Sequence, residues 1–366
     1  MAHFDSPSIL LVADDLTGAC DAAAPFATRG YVTVARLDGR WEARGADAVA
    51  ISTESRGLGA GRLREAFAYM GKAEAGLLFK KIDSTLRGNA GVEIGLAWEA
   101  FGSEAAIITP AFPAMGRRVE AGALRVAGGR FQPIDVAGFW RAQGLNGCAH
   151  VSTEGLAAAL AARTRFVSVD ASSDADLDAI VAAGLACGRR VLWAGSAGLA
   201  AALARAVARE RHCEAEPAER YDAVLFCIGS NHAVTVEQQR ELAAARAVAA
   251  VNAEAPAKGI AGALRRGRHA MLHVPYGRVT AEGVRRLIGA WRGPLVLSGG
   301  TTARLVCDAL GVREIRLERE IAAGIPRGTI VGGVFDGLPV VTKSGGFGGP
   351  DALIQIVDDL TCATSY

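Results

Sequence analysis

The stretch "SILLVADDLTGACDAAAPFA", residues 8–27, shows the pattern that decides the fold. It begins with an apolar run typical of a buried strand, continues with two aspartates, and ends in an alanine-rich segment suited to a helix. The same alternation of apolar runs and alanine-rich segments recurs along almost the whole chain. Alternation of this kind predicts βαβ units, and therefore an α/β fold with mainly parallel sheets flanked by helices.

The predicted strands fall into two series. The first series comprises residues 8–13, 31–37, 48–52, 77–82, 105–109, 166–169 and 191–194. The second series comprises residues 223–228, 247–252, 270–274, 295–297 and 314–317, and a hairpin over 329–342. A charged segment with one proline, residues 205–222, separates them, and 366 residues is long for one domain. We therefore predict two domains, residues 1–218 and 219–366.

One segment departs from the alternation of strands and helices. Residues 119–139, "VEAGALRVAGGRFQPIDVAGF", consist of short alternating pieces separated by glycine turns. This pattern predicts a hairpin or an insertion beside the first sheet.

Composition and charge exclude some classes of partner. Hydrophobic residues make up 51% of the chain and charged residues 21%, which is typical of a globular protein. The net charge of +2 provides no long-range field for nucleic acid or an anionic membrane, and we expect neither as a partner. The start of the chain lacks the pattern of a signal peptide, and no segment has about eighteen uninterrupted apolar residues. We expect a cytoplasmic protein.

Polar clusters in the first series come directly after strands. They are "ADDLTG" at 13–18, "STESR" at 52–56, "KKIDSTLRG" at 80–88 and "TPAFPAMGRR" at 109–118. Because the carboxyl ends of parallel strands lie along one edge of a sheet, where such folds bind ligands, these clusters are expected to meet there. The sequence therefore predicts a polar binding site at this edge.

The residue types at this edge point to a small, hydroxylated, anionic ligand. The guanidinium groups of Arg56 and Arg87 suit a carboxylate, because each offers parallel donors to two oxygens. An aspartate nearby can accept a proton from a substrate hydroxyl, and Asp83 is the first candidate, with Asp14 as the second. A structural alternative stays open for each residue. Asp15 or Asp83 could cap the next helix, and the lysines at 80 and 81 could be surface charges.

The second series carries three glycine turns between a strand and a helix or loop. They are "IGS" at 228–230, "SGGTTA" at 298–303 and "KSGGFGGP" at 343–350. Glycine lets a ligand approach the backbone closely, and free N–H groups at a helix start favour phosphate, so the turns suggest a nucleotide. A strand-to-helix turn also uses glycine for structural reasons alone. The chain contains no Walker A sequence, since no glycine precedes Lys343.

In this order, the motifs "ADDLTGACD", "STESR", "KKIDSTLRGNAGVEI", "TPAFPAMGR", "WAGSAGLAAAL", "IGS", "SGGTTA" and "KSGGFGGPDAL" resemble the four-carbon acid sugar kinases. This family, formerly a domain of unknown function, includes D-threonate, D-erythronate and 3-oxo-tetronate kinases. The resemblance covers residues from about 8 to 360. It implies an N-terminal domain that binds the sugar acid, a C-terminal domain that binds ATP, and phosphoryl transfer in the cleft between the domains.

The resemblance also implies the residues of both sites. The expected substrate contacts are Asp14, Asp15, Arg56, Lys81, Asp83, Ser84, Thr85 and Arg87. The expected ATP contacts are Ser230, Gly299, Gly300, Thr301, Thr302, Gly345 and Gly346. Mg²⁺ is expected to bridge the phosphates, as in other phosphoryl transfers, but the sequence identifies no metal ligands.

The leading hypothesis is an ATP-dependent kinase that phosphorylates a hydroxyl of a four-carbon sugar acid. The alternatives are a kinase for a five-carbon or branched sugar acid, and a non-catalytic sensor of sugar acid and nucleotide. The sequence departs from the family within residues 119–150, where "FQPIDVAGFWRAQGLNG" replaces a Thr-x-Phe-Ala-x-Asp-Pro-like stretch. The choice between acids therefore stays open, as do the role of this segment and the existence of a homodimer.

Overall fold

A computed structural model describes residues 6–58, 60–128, 131–209, 221–252, 262, 269–275, 277 and 279–361. The chain divides into two compact units, Met1–Glu210 and Arg211–Tyr366. The domain boundary predicted from the sequence, at residue 218, lies outside the described residues.

The first unit alternates strands with helices, as the sequence predicts. Its strands are β1 (Ile9–Ala13), β2 (Thr33–Arg36), β3 (Ala48–Ser52), β4 (Leu77–Lys81), β5 (Ala105–Thr109), β6 (Arg117–Glu120), β7 (Ala123–Val126), β8 (Ile134–Asp135), β9 (Ala149–Val151), β10 (Phe166–Val169) and β11 (Val191–Gly195). Its helices are α1 (Leu16–Thr28), α2 (Ala60–Met70), α3 (Ala90–Ala100), α4 (Val136–Ala142), α5 (Leu156–Ala161), α6 (Asp174–Ala186) and α7 (Ala197–Ala206).

The main sheet of the first unit has the strand order β2-β3-β1-β4-β11-β5-β10-β9. All of these neighbours pair in parallel, and Ile9 of β1 lies opposite Ala48 of β3 and Leu77 of β4. The strands predicted from the sequence are confirmed in this sheet, although β9 was not predicted. The carboxyl ends of β3, β1 and β4 are therefore adjacent, and so are the polar clusters that follow them.

The segment predicted as a hairpin or insertion forms a separate small sheet. Strands β6 and β7 pair antiparallel, and β7 pairs antiparallel with β8. An isolated bridge between Val119 and Ala171 connects this sheet to the loop after β10. The hairpin prediction is confirmed.

The core of the first unit contains helix α1, which is buried along almost its whole length, from Leu16 to Ala27. Alanine is the commonest residue in this helix, and its small side chain lets the helix pack closely between the sheet and its neighbours. Helix α1 packs against α7 and β3. Strand β1 is completely buried, and this matches its uninterrupted apolar sequence.

The second unit has strands β12 (Leu225–Ile228), β13 (Val248–Asn252), β14 (His269–His273), β15 (Leu295–Ser298), β16 (Glu314–Ala322), β17 (Ile325–Val331) and β18 (Pro339–Lys343). Its helices are α8 (Ala233–Ala245), α9 (Ala281–Ile288), α10 (Gly300–Leu310) and α11 (Ala352–Thr361). The strand order is β13-β14-β12-β15-β18-β17-β16.

Parallel and antiparallel pairs divide this second sheet. The pairs from β13 to β18 are parallel, whereas β18, β17 and β16 pair antiparallel. The hairpin predicted over residues 329–342 is confirmed. The strand predicted at 314–317 is longer in the structure, since β16 continues to Ala322 and turns directly into β17. The polar residues Glu318, Arg319 and Glu320 concealed this extension.

Helices α8 and α11 cover one face of the second sheet. Their apolar side chains form a buried cluster with the strands, which includes Phe226, Leu242, Val296, Leu353 and Ile356. Within the described part of the chain, no helix has the length and apolar character that a membrane-spanning segment requires.

Candidate active site

Arg56 contacts carboxylates from two neighbouring strand ends. It lies in a short 3₁₀ turn after β3, and its Nε and Nη2 donate to the two oxygens of Asp14 at 2.7 and 3.2 Å. Its Nη1 lies 2.7 Å from Asp15, and its Nη2 lies 3.5 Å from Asp83. Burial alone would lower the pKa of Arg56, but the charges of Asp15, Asp14 and Asp83 raise it well above its ordinary value. Arg56 therefore stays charged and links the three aspartates.

Asp83, which follows β4, is surrounded by donors. Its Oδ1 accepts hydrogen bonds from the backbone N and the hydroxyl of Thr85 at 2.9 and 2.5 Å. The Nε and Nη2 of Arg87 donate to its two oxygens at 3.0 and 2.5 Å. Burial would raise the pKa of Asp83, but Arg87, Thr85 and Arg56 together hold it well below its ordinary value. Asp83 is therefore ionised at neutral pH.

The capping alternative is confirmed for Asp15. Its Oδ1 accepts a hydrogen bond from Gly18 N at 2.6 Å, at the N-terminus of α1. Asp83 caps no helix, because α3 begins only at Ala90, after Asn89. Asp15 therefore caps helix α1 and also forms an ion pair with Arg56.

The two adjacent lysines are both buried, so the surface-charge alternative is wrong. The Nζ of Lys81 lies 3.6 Å from Oδ1 of Asp21 on α1. Burial would lower the pKa of Lys81, but Asp21, followed by Asp14, Asp15 and Asp83, raises it. Ser84, the next predicted contact along the chain, is also buried. Lys81 therefore places a permanent positive charge among the carboxylates.

Lys80 takes part in a second, deeper network that sequence reasoning missed. Its Nζ lies 2.7 Å from Oε2 of Glu93 on α3, and both side chains are 1% exposed. The other oxygen of Glu93 accepts a hydrogen bond from the hydroxyl of Ser55 at 2.8 Å, and Ser55 N donates to Asp14 O at 3.1 Å. This pair therefore supports the turn that carries Arg56. Glu93, the one acidic residue in the first turn of this helix, was the only signal in the sequence.

Arg117 is a further cation that the sequence analysis did not select. It opens β6, and it lies close enough to Asp83 and Arg87 to be influenced by their charges. Burial lowers the pKa of Arg117, Asp83 opposes this shift, and Arg87 adds to it. The sequence feature that could have identified Arg117 is its position directly after the motif "TPAFPAMG".

Two glycines leave room for these charged groups. A Cβ at Gly18 would lie 2.8 Å from Oδ1 of Asp15 and 3.3 Å from Nζ of Lys81. Gly88 has a φ of +85°, and a Cβ there would lie 3.5 Å from both Oδ2 of Asp14 and Cγ of Arg56. A side chain at Gly18 would therefore crowd the cluster, whereas at Gly88 the positive φ is what favours glycine.

The structure brings all eight predicted residues together, but Arg56 and Arg87 bind protein carboxylates in it. The fork of Arg56 holds Asp14 and contacts Asp15. Arg87 holds Asp83 yet remains 67% exposed, so part of its guanidinium faces solvent. The carboxylates of Asp14 and Asp83 can accept hydrogen bonds from ligand hydroxyls. The cluster thus combines acceptors for hydroxyls with cations for an acid group.

In the second unit, three turns meet at the ends of the neighbouring strands β12, β15 and β18. Gly229 N donates to Ser298 O at 3.3 Å, and Gly299 N donates to Lys343 O at 2.9 Å. A Cβ at Gly345 would lie only 2.1 Å from the hydroxyl oxygen of Ser230. The predicted nucleotide residues therefore lie at one edge of the sheet.

The Gly-Gly turn before α10 has a specific backbone requirement. Gly299 has a φ of +99°, which other residues rarely adopt, whereas Gly300 is the first residue of the helix and has no positive φ. Thr301 is exposed, and Thr302 is buried. A Cβ at Gly229 would lie 2.1 Å from Thr302 Oγ1. The turn thus presents an exposed hydroxyl and the first N–H groups of a helix.

The loop after β18, residues 344–349, is held by side chains that sequence reasoning missed. Thr235 Oγ1 donates to Gly345 O at 2.6 Å, and Gln238 Nε2 donates to the carbonyl oxygens of Phe347 and Gly349 at 3.0 and 2.8 Å. Lys343 Nζ donates to Phe347 O at 3.1 Å. The first two residues lie on α8, so only the fold could reveal their contact with the loop.

Two family models together match most of the chain. The model described as a sugar-binding N-terminal domain matches residues 9–145 and 135–203. The model described as a nucleotide-binding C-terminal domain matches residues 201–353. The first model covers the carboxylate cluster, and the second covers the three glycine turns.

Curated proteins match over nearly their whole length. A D-threonate kinase from Bordetella bronchiseptica is 35% identical over 400 residues, covering 95% of this chain and 96% of the relative. A D-erythronate kinase from Heliobacterium modesticaldum is 27% identical, covering 96% and 97%. Among solved structures, a Haemophilus influenzae protein of domain-of-unknown-function family 1537 has a TM-score of 0.68 at 20% identity, covering 95% and 98%, and it shows a shared fold.

The resemblance found in the motifs is therefore confirmed over the length of the chain. Both domain models match in the expected order, and the D-threonate kinase relative exceeds 30% identity over almost the whole sequence. The chain belongs to the four-carbon acid sugar kinase family.

Proposed function

We propose that this protein is an ATP-dependent kinase that phosphorylates a hydroxyl group of a four-carbon sugar acid of the threonate, erythronate or 3-oxo-tetronate type. One observation carries the proposal. A sugar-binding and a nucleotide-binding domain occur in one chain, and the relatives that span both are kinases for these acids. In this proposal the adjacent aspartates of "ADDLTG" contribute to the sugar-acid site, and the glycine turns form the ATP site.

The carboxylate cluster of the first unit is the proposed sugar-acid site. Asp14 and Asp83 accept hydrogen bonds from the hydroxyls, and Arg87 and Lys81 supply positive charge for the acid group. Asp15 and Arg56 hold the arrangement, and Ser84 and Thr85 complete the turn. Asp83 is the proposed acceptor of the proton from the reacting hydroxyl, with Asp14 as the alternative. A weakly basic carboxylate suffices when phosphoryl transfer has a loose transition state.

The three glycine turns of the second unit are the proposed ATP site. Ser230, the turn from Gly299 to Thr302, and the pair Gly345 and Gly346 lie where backbone N–H groups and hydroxyls can bind phosphate oxygens. Support comes from their convergence on adjacent strands and from the close fit between Gly345 and Ser230.

Mg²⁺ would accompany the nucleotide and neutralise charge on its phosphates. Within the described residues, no group of three or more His, Cys, Asp or Glu side chains could hold a metal ion. The chain therefore provides no complete set of metal ligands there, and the phosphates would supply several of them. We assign no metal ligand.

A screen of sugar acids tests the proposed function. D-threonate, D-erythronate, 3-oxo-tetronates, five-carbon acids and branched acids are each incubated with ATP and Mg²⁺, and ADP release is measured. Turnover of a four-carbon acid is expected. Turnover only with longer or branched acids would support the alternative kinase, and binding of acid and ADP by a folded protein without any turnover would support a sensor.

A further inference from the structure

Lys343 is a buried cation without an acidic partner. It ends β18, its side chain is completely buried, and it forms no ion pair with a described carboxylate. Its Nζ instead donates hydrogen bonds to the carbonyl oxygens of Ser344 and Phe347 at 3.0 and 3.1 Å. Burying an ammonium group without an anion is costly, so an anion bound nearby would stabilise it.

Most carbonyl oxygens of the loop after β18, residues 344–349, accept hydrogen bonds from side chains. Lys343 binds those of Ser344 and Phe347, Thr235 binds that of Gly345, and Gln238 binds those of residues 347, 348 and 349. The backbone N–H groups of Gly345, Gly348 and Gly349 donate no hydrogen bond within the described part of the chain. Two of these groups, those of Gly348 and Gly349, are consecutive, and consecutive backbone N–H groups without a partner favour an anion.

We propose that Lys343 is a positioning residue of the nucleotide site, which holds residues 344–349 in the arrangement that binds phosphate and takes up a proton when the phosphates bind. This inference rests on the proposed function, because it assumes that a nucleotide occupies the glycine turns. The sequence motifs alone do not predict this role, since Lys343 does not occupy the lysine position of a Walker A sequence.

The protonation of Lys343 follows from its surroundings. Burial lowers the pKa of Lys343 to about 7. Near that pH the free protein contains neutral and charged forms, and a phosphate anion would favour the charged form. Proton uptake on binding is thus expected in a window that begins near pH 7 and ends at the higher pKa of the complex.

Several titratable groups on the elements around Lys343 have partners of their own. Strand β15 contributes only the uncharged Ser298 opposite it. Among the groups on the other elements, His232 Nδ1 accepts a hydrogen bond from Val234 N, Glu320 accepts one from Gly324 N, and Asp351 accepts one from Gln355. Arg327 and Arg319 both pair with Asp359, and Asp358 pairs with Arg246. His232 is the nearest competing source of a proton effect, because it lies beside Gly345.

Calorimetric titration with ADP at pH 7.5 tests this inference. Titrations in two buffers of different ionisation enthalpy give the number of protons bound with the ligand. The wild-type protein is expected to take up roughly half a proton or more per ADP. A phosphate group binding to cations would itself release protons rather than take them up, so net uptake indicates a group of the protein and not the phosphate.

Three variants assign the proton. Lys343→Met should abolish uptake and weaken ADP binding about tenfold or more at pH 7, whereas Lys343→Arg should keep much of the affinity and lose the uptake. Lys72→Met, at an exposed lysine of the first unit, should change neither quantity. Uptake that persists in Lys343→Met, or that is lost only in His232→Asn, would overturn the inference.

The result also distinguishes the inference from the function on which it rests. ADP binding by the wild-type protein without proton uptake would refute the role of Lys343 and leave the kinase intact. A folded wild-type protein that binds no ADP between pH 6 and 9 would refute both. Wild-type uptake can be measured even if a variant does not fold.

Discussion

At the scale of the single residue, Asp83 is the proposed proton acceptor, yet its surroundings make it a weak base. Arg87, Thr85 and Arg56 keep it ionised, which readies it to accept a hydrogen bond but makes it a weak base. In phosphoryl transfer this is acceptable, because catalysis rests mainly on positioning and on stabilisation of charge. Asp14 is held in a similar way, since Arg56 donates hydrogen bonds to both of its oxygens.

Replacing Asp83 tests its proposed role. We predict that Asp83→Asn lowers kcat by about 10²-fold or more, within the range of general-base contributions, while the protein stays folded. Steady-state ADP release and circular dichroism measure the two quantities. Asp14→Asn is the matched variant. If it abolished turnover while Asp83→Asn kept near-normal turnover, the two assignments would be exchanged.

The two arginines predict a second, separable effect. Arg87→Lys keeps the charge but loses the planar fork, so we expect weaker binding of the sugar acid and nearly unchanged binding of ADP. Arg56→Lys should have the larger effect, because Arg56 contacts three aspartates rather than one. Calorimetry with each ligand measures both affinities. Equal losses of acid and ADP affinity would indicate a structural role for the arginines instead.

The side chains that cluster in the first unit could be predicted from the sequence only where a motif coincides with the end of a strand. The eight residues of the first cluster follow strands whose apolar runs are easily recognised, and the structure brings them together. Lys80, Glu93 and Lys343 could not be assigned in this way. Their roles depend on burial and on partners distant in sequence, which no local pattern reveals.

At the scale of the element, the Lys80–Glu93 pair joins β4 to α3 and supports the turn of Arg56. Breaking a buried pair by removing one partner leaves an uncompensated charge and typically costs about 3–5 kcal/mol. We therefore predict that Glu93→Gln or Lys80→Met lowers the free energy of unfolding by about this amount, measured by urea denaturation.

The double variant gives the control for this pair. Because Lys80→Met and Glu93→Gln together leave no unpaired charge, the double variant should be less destabilised than the sum of the single variants. Additive losses would show that the two side chains do not depend on each other.

The turn at Gly345 is the corresponding feature of the second unit. An added methyl group would lie 2.1 Å from Ser230 Oγ, so Gly345→Ala should displace Ser230 or the loop and weaken ADP binding about tenfold or more. Gly61→Ala is the control, since an added Cβ there meets nothing within 4 Å. Isothermal titration measures both. Unchanged ADP affinity in a folded Gly345→Ala protein would remove this turn from the nucleotide site.

The elements themselves were largely predictable, with one class of exception. Apolar runs of β-type composition identified the parallel strands well, because those strands are buried on both faces and contain few polar residues. Strand β16 was predicted too short because its outer half carries Glu318, Arg319 and Glu320, which resemble a loop in sequence. Pairing with β17 stabilises it as a strand, and that pairing is not visible locally.

At the scale of the whole molecule, the division into two units matches a division of chemistry. Carboxylates and cations gather in the first unit, and glycine turns with a buried lysine gather in the second. Each collection lies at the carboxyl ends of parallel strands, the usual location of ligand sites in such sheets.

Product analysis tests the kinase assignment most directly. The protein is incubated with ATP, Mg²⁺ and D-threonate or D-erythronate, and ADP, inorganic phosphate and the phosphorylated acid are measured together. We predict that ADP and a singly phosphorylated four-carbon acid form in equal amounts and that little inorganic phosphate appears. ADP formed with inorganic phosphate and unmodified acid, or no ADP with any four-carbon acid, would contradict the assignment.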